Sequence, residues 1–302
     1  MSVVEELPLQ QEYAKKTGIS EEDIAKLRAW LAAQPHLPSE HISDLDLILT
    51  FHCCGRSAQR AKQLLDLHYT LRTLFTHLFK DRQVDDAILS AMDCVLWLPL
   101  ETRSHDGCKV IYGRLVDYEP KKFNFSDDCR LAFMVMDLWQ RAEGSWPGLV
   151  LLVDMQGVAL AHLTRLDYHT LQEFFYYLQE AMLVNLKGIH FLNAPSFMDK
   201  VLFIIRPFMK KHLLDMMGIH QPGSRTLEKY LPMEALPSDC GGKYMAVDDA
   251  KAMMRAKLLA NRDYFSQENL KRVTEARRPG RPTTIADIFG GVEGSFKKLE
   301  ID

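Results

Sequence analysis

The residues with the best credentials for chemistry are Asp154, Gly157 and His162, which follow a continuous apolar run from Leu149 to Val153. A carboxylate at the end of a buried strand, with a glycine turn and an imidazole just beyond it, is where α/β enzymes often keep an acid or a base. The same residue types also serve a plainer purpose. Asp154 and Gln156 are read here as bracing the loop, because short polar side chains bond readily to nearby backbone. Cys53 and Cys54, beside Arg56, would need a lowered pKa to be reactive, and vicinal cysteines at a helix end read instead as packing residues. His190 lies inside an apolar run and reads as a hydrogen-bonded core residue. The chain has no G-x-S-x-G elbow, G-x-G-x-x-G turn or Walker loop. Its 11 histidines show no metal-ligand spacing with carboxylates. No enzyme, metal or cofactor is expected.

The stretch Lys187 to His220, KGIHFLNAPSFMDKVLFIIRPFMKKHLLDMMGIH, raises a different question. Ile189 to Leu192 reads as a buried strand ended by Asn193 to Pro195, and Ser196 as the cap of a helix. On that helix Phe197, Val201, Ile204, Ile205 and Phe208 form one stripe, which Met198, Leu202 and Met209 widen. So wide an apolar surface needs company on two sides: a sheet on one, and more protein, a membrane or a hydrophobic molecule on the other. Pro207 is expected to kink the helix or to act as its hinge. Lys187, Arg206, Lys210 and Lys211 flank it, with 206 and 210 expected one turn apart, and read as a membrane or headgroup contact.

The elements needed to position this stretch are legible in the periodicity. Ser20 with Asp23 forms a capping box ahead of Ile24, Leu27, Trp30 and Leu31. A second helix is expected over Leu45 to Phe51 and a third after Ser57, making an amino-terminal helical bundle over residues 1–82. Val95 to Leu98 and Val110 to Val116 read as a hairpin. Helices are expected from Ser126 to Arg141, from Leu166 to Met182 and from Val247 to Phe265. Strands alternating with helices imply an α/β fold with a mixed, largely parallel sheet over residues 83–265. The tail, 266–302, carries Ile285, Ile288, Phe289, Phe296 and Leu299, enough apolar surface for parts of it to dock.

Composition excludes several classes. Hydrophobic content of 47% and charged content of 25% suit a globular domain, and a net charge of -3 offers nucleic acid no global attraction. The amino terminus is acidic where a signal peptide is basic, and no run reaches the roughly 18 apolar residues of a membrane span, so a cytoplasmic location is expected. The 6 cysteines contain no C-x-x-C pair and read as reduced thiols.

Four stretches together resemble one family: ILTFHCCGRSAQRAKQLLDLHYTLR, VLLVDMQGV, IHFLNAPSFMDKVLFIIRPFMKKHL and LEKYLPMEALPSDCGG. In order and spacing they are similar to the CRAL-TRIO lipid-binding proteins. The ending GVEGSFKKLEID resembles insect alpha-tocopherol-transfer-like members. The resemblance implies a helical bundle packed on a lobe whose sheet floors a hydrophobic cavity, with the helix after N-A-P as a mobile gate. It implies a soluble carrier of one hydrophobic molecule (a tocopherol, retinoid, carotenoid or similar lipid) that visits membranes transiently. The alternative is a phosphoinositide-dependent adaptor or lipid sensor. His52, Cys54 and Asn185 replace residues that are basic in phosphoinositide-binding members, whereas Lys187 and Arg206 keep part of the patch. The residues expected to line the cavity are Val135, Met136 and Trp139, Leu152, then Phe174, Leu178 and Met182. Ile189 and Phe191 on one strand face and Phe197, Val201, Leu202 and Ile205 on the gate complete the set.

Overall fold

A computed structural model describes residues 3–296. The first part of the chain is helical: α1 (Leu9–Ala14), α2 (Glu21–Ala32), α3 (Asp44–Cys53), α4 (Ala58–Leu74), α5 (Thr76–Phe79) and α6 (Asp86–Cys94). Two reciprocal capping boxes fix where helices start. Ser20 and Asp23 open α2, and Ser43 and Asp46 open α3 just ahead of the apolar run. Leu27, Leu31, Leu47, Ile48, Leu65 and Tyr69 from α2, α3 and α4 share one core.

α6 runs directly into β1 (Val95–Pro99), which pairs antiparallel with β2 (Lys109–Leu115). The chain then alternates: α7 (Phe125–Glu143), β3 (Leu149–Asp154), α8 (Leu160–Leu163), α9 (Tyr168–Glu180), β4 (Leu186–Leu192), α10 (Met198–Ile205), α11 (Lys211–Asp215) and β5 (Met217–Ile219). The strands form a five-stranded sheet in sequential order, β1 to β5, parallel from β2 onward. The fold is therefore α/β with a mixed, largely parallel sheet. Every parallel crossover steps the same way, and right-handed connections stepping in one direction put their helices on one face. α7, α9 and α10 thus cover a single face. On the other, Tyr230 lies 4.3 Å from His190, centroid to centroid, and α12 (Val247–Ala260) packs along the edge strand β1.

Local expectations are corrected at several points. α7 is capped by Asn124, whose side chain accepts from the Asp127 N–H, and Ser126 is its second residue. α10 starts after Phe197 without a side-chain cap, so Ser196 lies outside it. Pro207 does not kink a continuing helix: α10 ends at Ile205, and Pro207 sits in a 3-10 turn, Arg206–Phe208. The expected helix from Val247 to Phe265 is two, α12 and α13 (Arg262–Glu268), broken at Asn261. That side chain is occupied at both ends, accepting from Val4 N–H at 2.6 Å and donating to Lys257 O at 2.7 Å.

Charged residues join the helical part to the sheet part. Asp137 on α7 accepts from Arg72, and from Arg82 at 2.7 Å. Burial alone would raise the Asp137 pKa, but the two guanidiniums outweigh it and hold it at about 2. Near the end of the chain, Phe289 on α14 (Ile285–Phe296) stacks on Phe75 at 5.6 Å. The side chains of GVEGSFKKLEID, including Phe296 and Leu299, lie outside the described residues.

Candidate functional site: an apolar cavity between sheet and gate helix

The face of the sheet under α9 and α10 does not pack fully against them. Between them lies a cavity of about 190 Å³. Strand pleating decides which residues border it, because alternate side chains point to one face. Trp97, Gly113, Val153 and Phe191 are neighbours across the strands in that order, and Leu151 and Ile189 form the next row. α9 supplies Leu171, Phe174 and Phe175, and α10 supplies Val201 and Ile205. Phe123, Phe125, Leu163 and Leu166 close one end. Gly113 is required for this shape: a Cβ there would stand 2.4 Å from the Trp97 ring, so only glycine lets the indole lie over the strand.

Arg114, Asp128, Asp154 and His162 are among the residues that border the cavity. Asp128 accepts from the Trp97 indole N–H at 2.7 Å. Burial pushes its pKa up to about 7, against the opposing pull of that hydrogen bond. Asp154 accepts from Tyr112 Oη–H at 2.6 Å, from Asn193 Nδ2 at 2.8 Å and from Gln156 N–H at 3.0 Å, with Arg114 3.9 Å away. Its oxygens are thus spent on structure, the bracing role rather than the catalytic one. Arg114 donates to Leu115 O, Tyr118 Oη and Cys240 Sγ. Elsewhere, His190 is core: its Nδ1 is 3.0 Å from His220 Nε2, and burial, then His220, pushes its pKa down to about 4. The 6 cysteine thiols are free. Among the described residues no group of three His, Cys, Asp or Glu is placed to hold a metal ion, and no helix is long and apolar enough to cross a membrane.

The structure brings Phe174, Ile189, Phe191, Val201 and Ile205 together around the cavity. It does not bring in the other expected lining residues. Leu152 has the opposite parity to Leu151 and Val153 and is buried on the far face. The cavity lies over the first turn of α7, where Phe125, Asp128 and Cys129 face it, so residues two turns further on miss it. Val135 borders a separate void of about 10 Å³ with Met254, and Met136 and Leu178 another of about 10 Å³. Trp139 packs on Trp146 at 4.4 Å, and Met182 faces a polar cleft with Arg72 and Glu268. Leu202 is buried and Phe197 half-buried, both outside the lining.

The cations are likewise separated. Because α10 stops at Ile205, Arg206 and Lys210 share no helix face, and Lys210 stands just before α11. Lys210 pairs with Glu180 at 2.6 Å and Lys211 with Asp215 at 2.8 Å, whereas Lys187 and Arg206 are exposed. The outer face of α10 carries Phe203, 82% exposed. The carboxy-terminal end of α10 is clamped to α9 by Gln179, which donates to Phe208 O at 2.9 Å and accepts from Lys210 N–H at 2.7 Å.

Residues 98–242 match the family model described as CRAL/TRIO domain, and residues 18–89 match the Pinta-like, UBA domain. The chain is 25% identical to the human alpha-tocopherol transfer protein-like protein over 82% of its own length and 71% of that protein's. It is 22% identical to clavesin-1 of Xenopus laevis, covering 73% of this chain and 67% of that one. The crystal structure of Sfh5 superposes with a TM-score of 0.47 at 16% identity, over 68% of this chain and 77% of that chain.

Proposed function

The chain carries a CRAL/TRIO domain of the lipophilic-ligand-binding CRAL-TRIO family over residues 98–242, and from that premise we propose that it carries one hydrophobic small molecule, enclosed beneath α10 and exchanged at membranes. The observation that supports this most directly is the two-sidedness of α10. Val201 and Ile205 face the apolar cavity while Phe203 stands in solvent on the opposite side. An eight-residue helix apolar on both faces is costly in water unless one face meets something hydrophobic. Opened against a membrane, the same helix would place Phe203 in the bilayer and expose the cavity to it.

The volume supports a moving wall. Small-molecule sites commonly enclose roughly 300–1,000 Å³, and this cavity holds about 190 Å³. A long lipid of the tocopherol, retinoid or carotenoid kind therefore needs α10 displaced outward, about the turn containing Pro207. In this reading residues 1–82 form a supporting bundle, 83–265 the carrier and 266–302 a brace. Exposed Lys187 and Arg206 would add attraction to an anionic headgroup, at about 1 kcal/mol each near the surface. The protein would work in the cytoplasm and bind membranes transiently.

Native mass spectrometry of the purified protein, followed by organic extraction, tests the proposal. One retained hydrophobic molecule per chain is expected, and Val201→Asp should abolish retention. Protein that emerges empty and takes up nothing from a mixed lipid panel would refute it.

A further inference from the structure

Empty space does not end where the cavity ends. The cavity of about 190 Å³ and the void of about 10 Å³ beside Met136 and Leu178 have Trp97, Leu151 and Phe174 in common as lining. The two lie in line along one trough between the sheet, α7 and α9. On β2 the lining passes from Gly113 to Ile111 and on β3 from Leu151 to Leu149, a step of two along one strand face. On α7 it passes from Asp128 to Ala132 and Met136, and on α9 from Phe174 to Leu178, in steps of four along one helix face. The void of about 10 Å³ beside Val135 and Met254 is also bordered by Trp97. Among the described residues, Trp97 alone borders all three spaces. Its ring is held across the trough from two sides: the indole N–H donates to Asp128 at 2.7 Å, and the ring lies over Gly113, where a Cβ would collide with it.

We infer that Trp97 is a partition that fixes the depth of the cavity and so limits the length of hydrophobic molecule the protein retains. With the indole removed, the cavity would extend along α7 to Met136 and Leu178. The inference rests on the carrier reading and adds to it the residue that selects the cargo by length. In that reading α10 gives way to bulk, whereas Trp97 belongs to β1 and is paired with Gly113 inside the sheet, which does not travel with the gate. Bulk is accommodated at the helix and length is refused at the strand. Asp128 and Gly113 are positioning residues for the ring.

A series of linear primary alcohols of about 8 to 20 carbons, competing for the full chain against an environment-sensitive fluorescent hydrophobe, tests this. Affinity should rise about four-fold with each methylene until the chain meets the indole, and then stop rising. In Trp97→Ala the break should move to chains about three to five carbons longer, and in Trp97→Phe by less. Gly113→Ala, whose Cβ drives the ring off the strand and into the cavity, should move the break to shorter chains. A general loss of packing does not produce shifts in opposite directions. In the unmutated protein carrying fluorotryptophan, the ¹⁹F resonance of Trp97 should move with chains at or beyond the break and stay in place with shorter ones, a readout independent of how the variants fold. An affinity series without a break, a break unchanged in both Trp97 variants, or a Trp97 resonance indifferent to chain length would overturn the inference while leaving the carrier reading intact. If no alcohol in the series binds, both fall together.

Discussion

Replacing Asp128 with asparagine should make the protein more stable, by an amount that grows with pH. The carboxyl is buried against Trp97 in the cavity wall, and burial raises its pKa from 3.8 to about 7. Well below pH 3.8 the folded and unfolded chains both hold the proton, and the group contributes no difference. As pH rises through 3.8 toward 7, the unfolded chain releases the proton and the folded one keeps it, so wild-type stability falls across that window and levels off above it. Each unit is worth about 1.4 kcal/mol, which makes the whole effect on the order of 2–4 kcal/mol. The amide of the Asp128→Asn variant cannot ionise and still offers an oxygen to the indole N–H. Urea unfolding of both proteins at several values between about pH 4.5 and 8 gives their stability difference, in which titrations common to both cancel. That difference should rise by a few kcal/mol in favour of the variant. A flat difference would mean that the Asp128 carboxyl is solvated in the folded state, and its burial against Trp97 would be refuted.

Other perturbations probe separate parts. Phe203→Ala should slow transfer between vesicles several-fold while leaving ligand affinity and melting temperature nearly unchanged, since the ring is 82% exposed; an unaltered transfer rate would remove α10 from the membrane contact. Gln179→Ala breaks both hydrogen bonds of the clamp on α10 and should speed ligand release, measured by stopped-flow, more than it lowers equilibrium stability. Asp137→Asn leaves Arg72 and Arg82 buried without their shared carboxylate and should cost about 3–5 kcal/mol in denaturant unfolding. In the wild type that pair's contribution is present above about pH 3.8 and is lost as pH falls toward 2, because the folded-state pKa of Asp137 is depressed.

Much of the fold is legible because it is written in local patterns. The hairpin of β1 and β2, the apolar runs of β3 and β4 and the capping box of α2 are all set by neighbouring residues. Helix starts are ambiguous where two candidate caps stand close together: Asn124 rather than Ser126 takes the end of α7. The lining is legible only in part. Leu149 to Val153 is apolar at every position, so its sequence contains no parity and cannot say that Leu151 and Val153, not Leu152, meet the cavity. The position of the cavity over the first turn of α7 depends on the loop that seats Phe123, a long-range matter with no local signature. His162 is visible as a histidine beyond a strand, but the bond that its Nδ1 accepts from the Ala159 N–H is revealed only by the folded loop.

The pleat of the central strands also divides the labour of mutation. Along β3 and β4, Leu151, Val153, Ile189 and Phe191 border empty space, while Leu152 and His190 are locked into the opposite layer. A smaller side chain in the first set enlarges a space that already exists, whereas one in the second opens a hole in close-packed protein. Substitutions at alternate positions should therefore fall into two groups, one altering what is held and the other whether the protein holds together. Such an arrangement lets ligand preference drift, residue by residue, without passing through unfolded ancestors.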